Sequence, residues 1–197
     1  RDTSTLRLFL ALLFWDEECM VKMLGILSEF AKPDIIAGRT YNRLFVIGLA
    51  GFEMGRKNKD KSLIELASTC LDYFKTLTKL GSLSATPIYH LMKAVSRPSK
   101  SNYDEAISFC HETRLVHFEA MACERCGMLL KQEKRVDAAN EYIIKAYWGY
   151  TDWGATSKAN SMIETYPFLK EATRCYQTAQ SDGSSTNMRV ANYIGKK

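Results

Sequence analysis

From Ser62 onward the apolar residues fall at Leu63, Leu66, Ala67, Cys70, Leu71, Phe74 and Leu77. Steps of three and one place them on a single face of an α-helix. This period constrains the fold more than anything else in the chain, because it returns in nearly every segment while its rival does not. No apolar/polar alternation survives for more than a few residues. No Asn-Gly or Asp-Gly pair separates two β-branched runs, so strands have almost no support. Short helices joined by tight turns, roughly eight to ten of them, are expected, and the fold class is all-α.

The breaks carry helix-terminal chemistry. Thr86–Pro87 reads as a start, with Thr86 as N-cap and Pro87 at the first helical position. Pro98 ends that helix. Ser101–Ala106 supplies capping residues and first-turn acidic charge for the next one. Gly81, Gly154 and the Lys32–Pro33 pair mark further breaks. Ser181–Gly183 opens a polar stretch. The expected organisation is therefore one helical domain over 1–180 and a loose tail over 181–197.

Charge and composition exclude several functions. The net charge of +5 is spread among interspersed acids and bases. The densest basic run, Gly55–Lys61, is broken by Asn58 and Asp60, and reads as a solvated turn between helices rather than a nucleic-acid surface. Leu6–Trp15 is apolar but too short to span a bilayer, so no membrane partner is expected. The six cysteines, Cys19, Cys70, Cys110, Cys123, Cys126 and Cys175, lie in helix-periodic apolar segments, where a thiol behaves as a small hydrophobe. With no N-x-[ST] acceptor in the chain, this points to free thiols in a reducing, cytoplasmic compartment. The chain enters helix-like sequence directly at Arg1, as a piece of a longer polypeptide would.

Motifs for catalysis fail one by one. Cys123-Glu-Arg-Cys126 is a C-x-x-C pair with Cys110, His111 and His117 nearby. However, zinc needs four converging ligands, and the helical face carrying both cysteines also carries Gly127 and Leu130. Core packing is the stronger reading, and no metal or redox role is assigned. His111–Leu115 begins like a zincin motif but lacks the second histidine. Gly48, Gly51 and Gly55 fit neither a dinucleotide fingerprint nor a P-loop, and close helix packing explains them better. Neither a nucleophile elbow nor a triad is present. No catalytic, cofactor-binding or metal-ligating residue is named, and the segment is not expected to be an enzyme.

The spacing of small residues is more informative. Offsets of 12, 16 and 19 from Gly127 fall on Ala139, Ile143 and Ala146, which resembles the packing register of a tetratricopeptide unit. A step of 33 back from Gly127 and from Ala139 reaches Ala94 and Ala106, again small; the third offset falls less well, on Thr113. Gly48–Gly55 with Ala67 suggests another pair with its spacing stretched. A helix pair cannot bury its face alone and stacks on the next. Antiparallel pairs stacked as a tetratricopeptide-like superhelix are expected.

The stretch YWGYTDWGATSKANSMIETYP, Tyr147–Pro167, then reads as the end of that stack. Ile143, Ala146, Tyr147 and Tyr150 form a stripe that Trp153 continues. Gly154 stands where a helix end favours a left-handed residue. Ala155, Lys158, Ala159, Met162 and Ile163 restart the period, and Tyr166–Pro167 closes it. On this reading Trp153 packs beneath the last helix pair, near Tyr150 and Met162.

At these residues the chain resembles a family. His117–Leu169 is similar to the C-terminal part of the helical-repeat region in very large signalling proteins. The likeness is carried by Glu124, Arg125, Gly127, Ala139, Ala146, Tyr150, Trp153, Gly154, Lys158, Tyr166 and Pro167, with His117, Glu119, Ala120, Tyr142 and Ala155. Arg39–Lys57 resembles an upstream helix of that region more weakly. The cysteines of Cys123–Cys126 replace other small residues usual there. In such proteins a protein-kinase-like domain and an AAA-type ATPase domain precede the repeats. A GAF sensor and a histidine kinase, or another output such as a nucleotide cyclase, follow them. The resemblance implies a non-catalytic scaffold relaying between the ATPase and the sensor or output, with neighbouring protein domains as its partners. A free-standing adaptor that binds a peptide or partner helix in its groove is the alternative.

Overall fold

The computed structural model describes residues 2–28 and 39–174. These residues are 85% helical and contain no strand. The order is α1 (Asp2–Phe14), α2 (Glu17–Ser28), α3 (Arg39–Asn58), α4 (Lys61–Lys79), α5 (Ala85–Ser96), α6 (Lys100–Glu112), α7 (Val116–Gln132), α8 (Val136–Asp152) and α9 (Thr156–Thr165), then further helix at 169–174. None of these helices is long and apolar enough to cross a membrane. The Lys32–Pro33 break, Cys175 and the tail over 181–197 lie outside the described residues.

The chain packs as two units, Arg1–Phe118 and Glu119–Lys197. In the first, α3 is the central helix and touches α1, α2, α4 and α5. Its residues 44–52 are buried without interruption, as expected of a helix covered on all sides. Fully buried Leu8, Leu12, Met20, Leu24, Ile47, Phe74, Leu91 and Met92 form much of this core. The glycines of α3 are where α4 and α5 come close. A Cβ on Gly51 would meet Ala67 Cβ at 3.0 Å and the Leu63 carbonyl at 3.1 Å; one on Gly55 would meet Ile64 Cγ1 at 2.7 Å; one on Gly48 would strike Met92 and Cys70. As the numbers rise along α3 the partners on α4 fall, so the two run antiparallel.

The same pattern recurs in the second unit. A Cβ on Gly127 of α7 would lie 2.7 Å from Ile143 Cδ1 and 3.1 Å from the Ala139 carbonyl, and one on Gly149 of α8 would lie 2.9 Å from Ala120 Cβ. α7 and α8 are therefore antiparallel and in close contact.

Six of the junctions share one turn. At Trp15, Lys59, Gly81, Arg114, Lys134 and Gly154 the backbone enters the left-handed region, with φ between 56° and 85°. The next residue donates its N–H to a carbonyl five positions back, as in Asp60 to Gly55 (2.8 Å), Arg135 to Leu130 (2.9 Å) and Ala155 to Tyr150 (2.9 Å). These are Schellman ends, which satisfy the last helical carbonyls and turn the chain sharply. Glycine holds that position in only two of the six, so the sequence marks only those two.

Two caps fall elsewhere than expected. α5 starts at Ala85 after Ser84, so Thr86 is inside the helix and hydrogen-bonds the Ser82 carbonyl through Oγ1 (3.0 Å). Pro87 sits at the third position, where its missing N–H would have had no helical acceptor anyway. α6 is capped by Ser99, whose Oγ accepts the Asn102 N–H (3.2 Å), rather than from within Ser101–Ala106. Gly55–Lys61 is the end of α3, a turn and the first residue of α4. There Arg56 reaches the Val95 carbonyl and Lys57 pairs with Glu17.

Candidate functional site

α7 places two charged residues inside the second unit. Residues 120–127 are buried without a break, so the adjacent Glu124 and Arg125 cannot escape by pointing outward. They are 2% and 4% exposed. An isolated buried carboxylate is very costly, and two neighbours meet this one. Tyr150, from the last turn of α8, donates its O–H to Glu124 Oε2 at 2.8 Å. Lys158, on α9, donates to Oε1 at 2.6 Å. The Lys158 ammonium also stands 5.4 Å from the centre of the Tyr150 ring. Arg125 Nη1 lies 3.4 Å from the Met121 carbonyl, one turn back on α7.

Local structure explains how three helices deliver these groups. Tyr150 falls on the inward stripe of α8 with Ile143 and Ala146. Gly154, at φ +84°, reverses the chain within a residue, and Lys158 enters one turn later with Ala159 and Met162, all three buried. Tyr166 follows the helix, is buried, and has the Lys131 ammonium 5.3 Å from its ring centre.

The electrostatics follow from burial. Desolvation pushes the Tyr150 hydroxyl well above its ordinary range, and the negative Glu124 beside it pushes the same way. Tyr166 rises to about 12 for the same two reasons. Lys158 is lowered, because burial outweighs the opposing pull of Glu124, and Arg125 adds to the lowering. Shifted groups gathered in one place are what a functional site looks like. Here, though, each Glu124 oxygen holds a donor from within the protein, and Lys158 is 4% exposed. The contacts of this cluster tie α7, α8 and α9 together.

Of the residues that carried the resemblance, the structure brings Glu124, Arg125, Tyr150, Lys158 and Tyr166 into one cluster. Gly127 and Ala139 form the close α7–α8 contact, and Ala146 is fully buried on α8. Gly154 makes the turn. Pro167 is exposed in the segment after α9. Trp153 does not pack as expected. It is the C-cap of α8 and 40% exposed, whereas Tyr150 is fully buried and Tyr166 is buried as well. The inward stripe steps from Ala146 to Tyr150, and Trp153 follows as the right-handed C-cap immediately before the left-handed Gly154.

The ionic lock is absent from the sequence reading, although its signals are in the chain. Two charges stand in the middle of Ala120–Gly127, otherwise built of small and apolar residues, and Lys158 sits within an apolar period. Nor is the spacing from the α3 glycines to Ala67 stretched: Gly51 meets Leu63 and Ala67 at the same two offsets at which Gly127 meets Ala139 and Ile143. Cys70, Cys110, Cys123 and Cys126 are buried, Cys19 is half-buried, and none of the five is in a disulfide. No group of three or more potential metal ligands converges among the described residues. No family model, curated protein or solved structure matches the chain.

Proposed function

We propose that this chain is a non-catalytic, tetratricopeptide-like helical scaffold that relays between an ATPase module and the sensor or output domains of one signalling protein. One observation carries the reading. In two separate hairpins, α3/α4 and α7/α8, a glycine on the first helix meets the second helix at the same pair of offsets, Gly51 at Leu63 and Ala67, Gly127 at Ala139 and Ile143. A repeated packing register is how stacked helical repeats bury faces that no single pair could bury alone. Ala94 and Ala106, the counterparts of Gly127 and Ala139 one repeat earlier in the sequence, are both fully buried, which adds to it. The residues carrying the likeness to signalling proteins are largely those that lock α7, α8 and α9 together. A part that transmits force or position needs such locks, whereas a catalyst needs groups that reach a substrate. The buried thiols suit a reducing, cytoplasmic compartment.

The test is the reading frame that encodes the protein. The proposal expects a product several times longer than this chain, with nucleotide-binding motifs before it and a sensor or output domain after it. A frame that closes around these residues would overturn the relay and favour the free-standing adaptor.

A further inference from the structure

The hairpin α1/α2 leaves an open groove of about 610 Å³ on the first unit. Its apolar lining is Leu10, Ala11, Phe14 and Met23. Leu10 and Phe14 are 44% and 43% exposed, and Leu6, one turn earlier on the same stripe, is 57% exposed. Three large apolar side chains in line on one helix face form a patch of the kind that marks an interaction surface.

The charges around it are sorted by end. Arg7, in the first half of α1, and Lys22, in the middle of α2, line the groove away from the turn. Asp16 and Glu18 line it at the turn. Glu17 is not part of this set, because it pairs with Lys57. Asp16 uses one carboxylate oxygen to accept the Cys19 N–H at 3.0 Å, which leaves the other for a partner. Along the apolar groove the basic pair therefore stands away from the turn and the acidic pair at it.

A surface of that pattern is its own complement. A second copy turned by a two-fold axis near Ala11 sets its Asp16 and Glu18 against Arg7 and Lys22, and the reverse, with Phe14 of each copy facing Leu10 of the other. Such mutual contacts are the signature of an isologous pair. We infer that this chain forms a symmetric dimer through antiparallel packing of two α1/α2 hairpins. The contact is under about four turns of helix long, smaller than the surfaces that permanent dimers bury. The dimer is therefore weak, and salt weakens it further. This inference is independent of the relay function.

Sedimentation velocity on the whole chain, from low micromolar to near-millimolar concentration, tests it. The expected result is a reversible monomer–dimer equilibrium. Arg7→Glu with Lys22→Glu gives like charges at both ends. So does Asp16→Asn with Glu18→Lys, where asparagine keeps the capping oxygen. Either variant alone loses roughly tenfold or more in dimer affinity, as four exposed charge contacts would together supply. Mixing the two restores association as a heterodimer, which a misfolded variant could not do. Leu10→Asp abolishes dimers in every combination. A chain that stays monomeric throughout, a dimer indifferent to these changes, or a failure of the mixture to associate would overturn the proposal. So would adsorption to anionic vesicles without self-association, which would assign the face to lipid.

Discussion

Removing the Lys158 amine should be among the most damaging single changes in the second unit. Lys158→Met keeps the length and apolar stem of the side chain, so little cavity forms. What it removes is the ammonium donor on a carboxylate that is 2% exposed and also accepts from the Tyr150 hydroxyl. Breaking one side of a buried ion pair costs about 3–5 kcal/mol, most of it the desolvation of the charge left behind. Glu124→Gln strands the Lys158 ammonium and belongs in the same range. The double variant removes both charges and can be close to neutral, since buried pairs replaced by apolar groups often lose nothing. Urea unfolding followed by circular dichroism measures all four corners of the cycle. The two single losses should exceed the double loss by at least about 2 kcal/mol, a coupling typical of residues in direct contact. Single losses below about 0.5 kcal/mol, or strict additivity, would refute the argument that this pair is a dry lock.

Other perturbations follow from the same geometry. Gly127→Ala should destabilise by about 1–3 kcal/mol, because the new methyl meets Ile143 and a backbone carbonyl. Gly25→Ala, with nothing within 4 Å of its Cβ, should instead stabilise by about 0.5–1 kcal/mol; thermal melts of the two separate clash from helix propensity. Tyr150→Ala should cost about 3–5 kcal/mol, whereas Trp153→Ala at a 40% exposed cap should move the melting midpoint far less, and equal shifts would contradict the burial pattern. Lys134→Gly should gain up to about 1 kcal/mol by relieving a left-handed lysine, read as a rise in urea midpoint. Stability should also fall as pH rises above 9. Cys70, raised from 9.0 to about 12, Tyr166, raised to about 12, Tyr150 and Tyr41 all keep protons when folded that the unfolded chain releases. Each contributes a loss of up to about 1.4 kcal/mol per pH unit across its window. Lys158, lowered from 10.5, has the opposite sign just below that pH, so four groups oppose one. Urea midpoints that stay flat from pH 9 to 11 would show these groups titrating as in the unfolded chain.

The helices are legible because a 3.6-residue period is written in many side chains at once, and a misplaced cap does not erase it. Thr86 and Ser101 look like caps because several hydroxyl residues cluster at each junction, and only backbone geometry selects Ser84 and Ser99. Lys59, Arg114 and Lys134 do not look like turn residues, because a left-handed conformation forced by a Schellman end leaves no mark on a lysine or arginine. Gly127 with Ala139 is legible, since a close helix crossing needs small residues at fixed offsets. The partners of Glu124 are not. Tyr150 and Lys158 lie far along the chain on two other helices, and nothing local to either shows that they converge on one carboxylate. Burial of charge can be read from the sequence, but pairing requires the fold.

That buried charge has a structural counterpart in α9. The helix has 10 residues and buries only Ala159 and Met162 beside Lys158. A helix this short is marginal in water and depends on docking, yet two apolar side chains specify its rotation weakly. Turning it by one residue, about 100°, would exchange the buried set for another of mixed size at little apolar cost. It would also leave Glu124 facing no ammonium and bury or expose Lys158 without its carboxylate, a penalty of several kcal/mol. The 2.6 Å contact therefore selects one rotation of α9 among packings that are close in hydrophobic energy. A single buried polar contact fixes register in the same way in helical assemblies. For a scaffold whose proposed role is to hold modules in a defined relation, an end helix with one permitted rotation is worth more than the apolar contacts it forgoes.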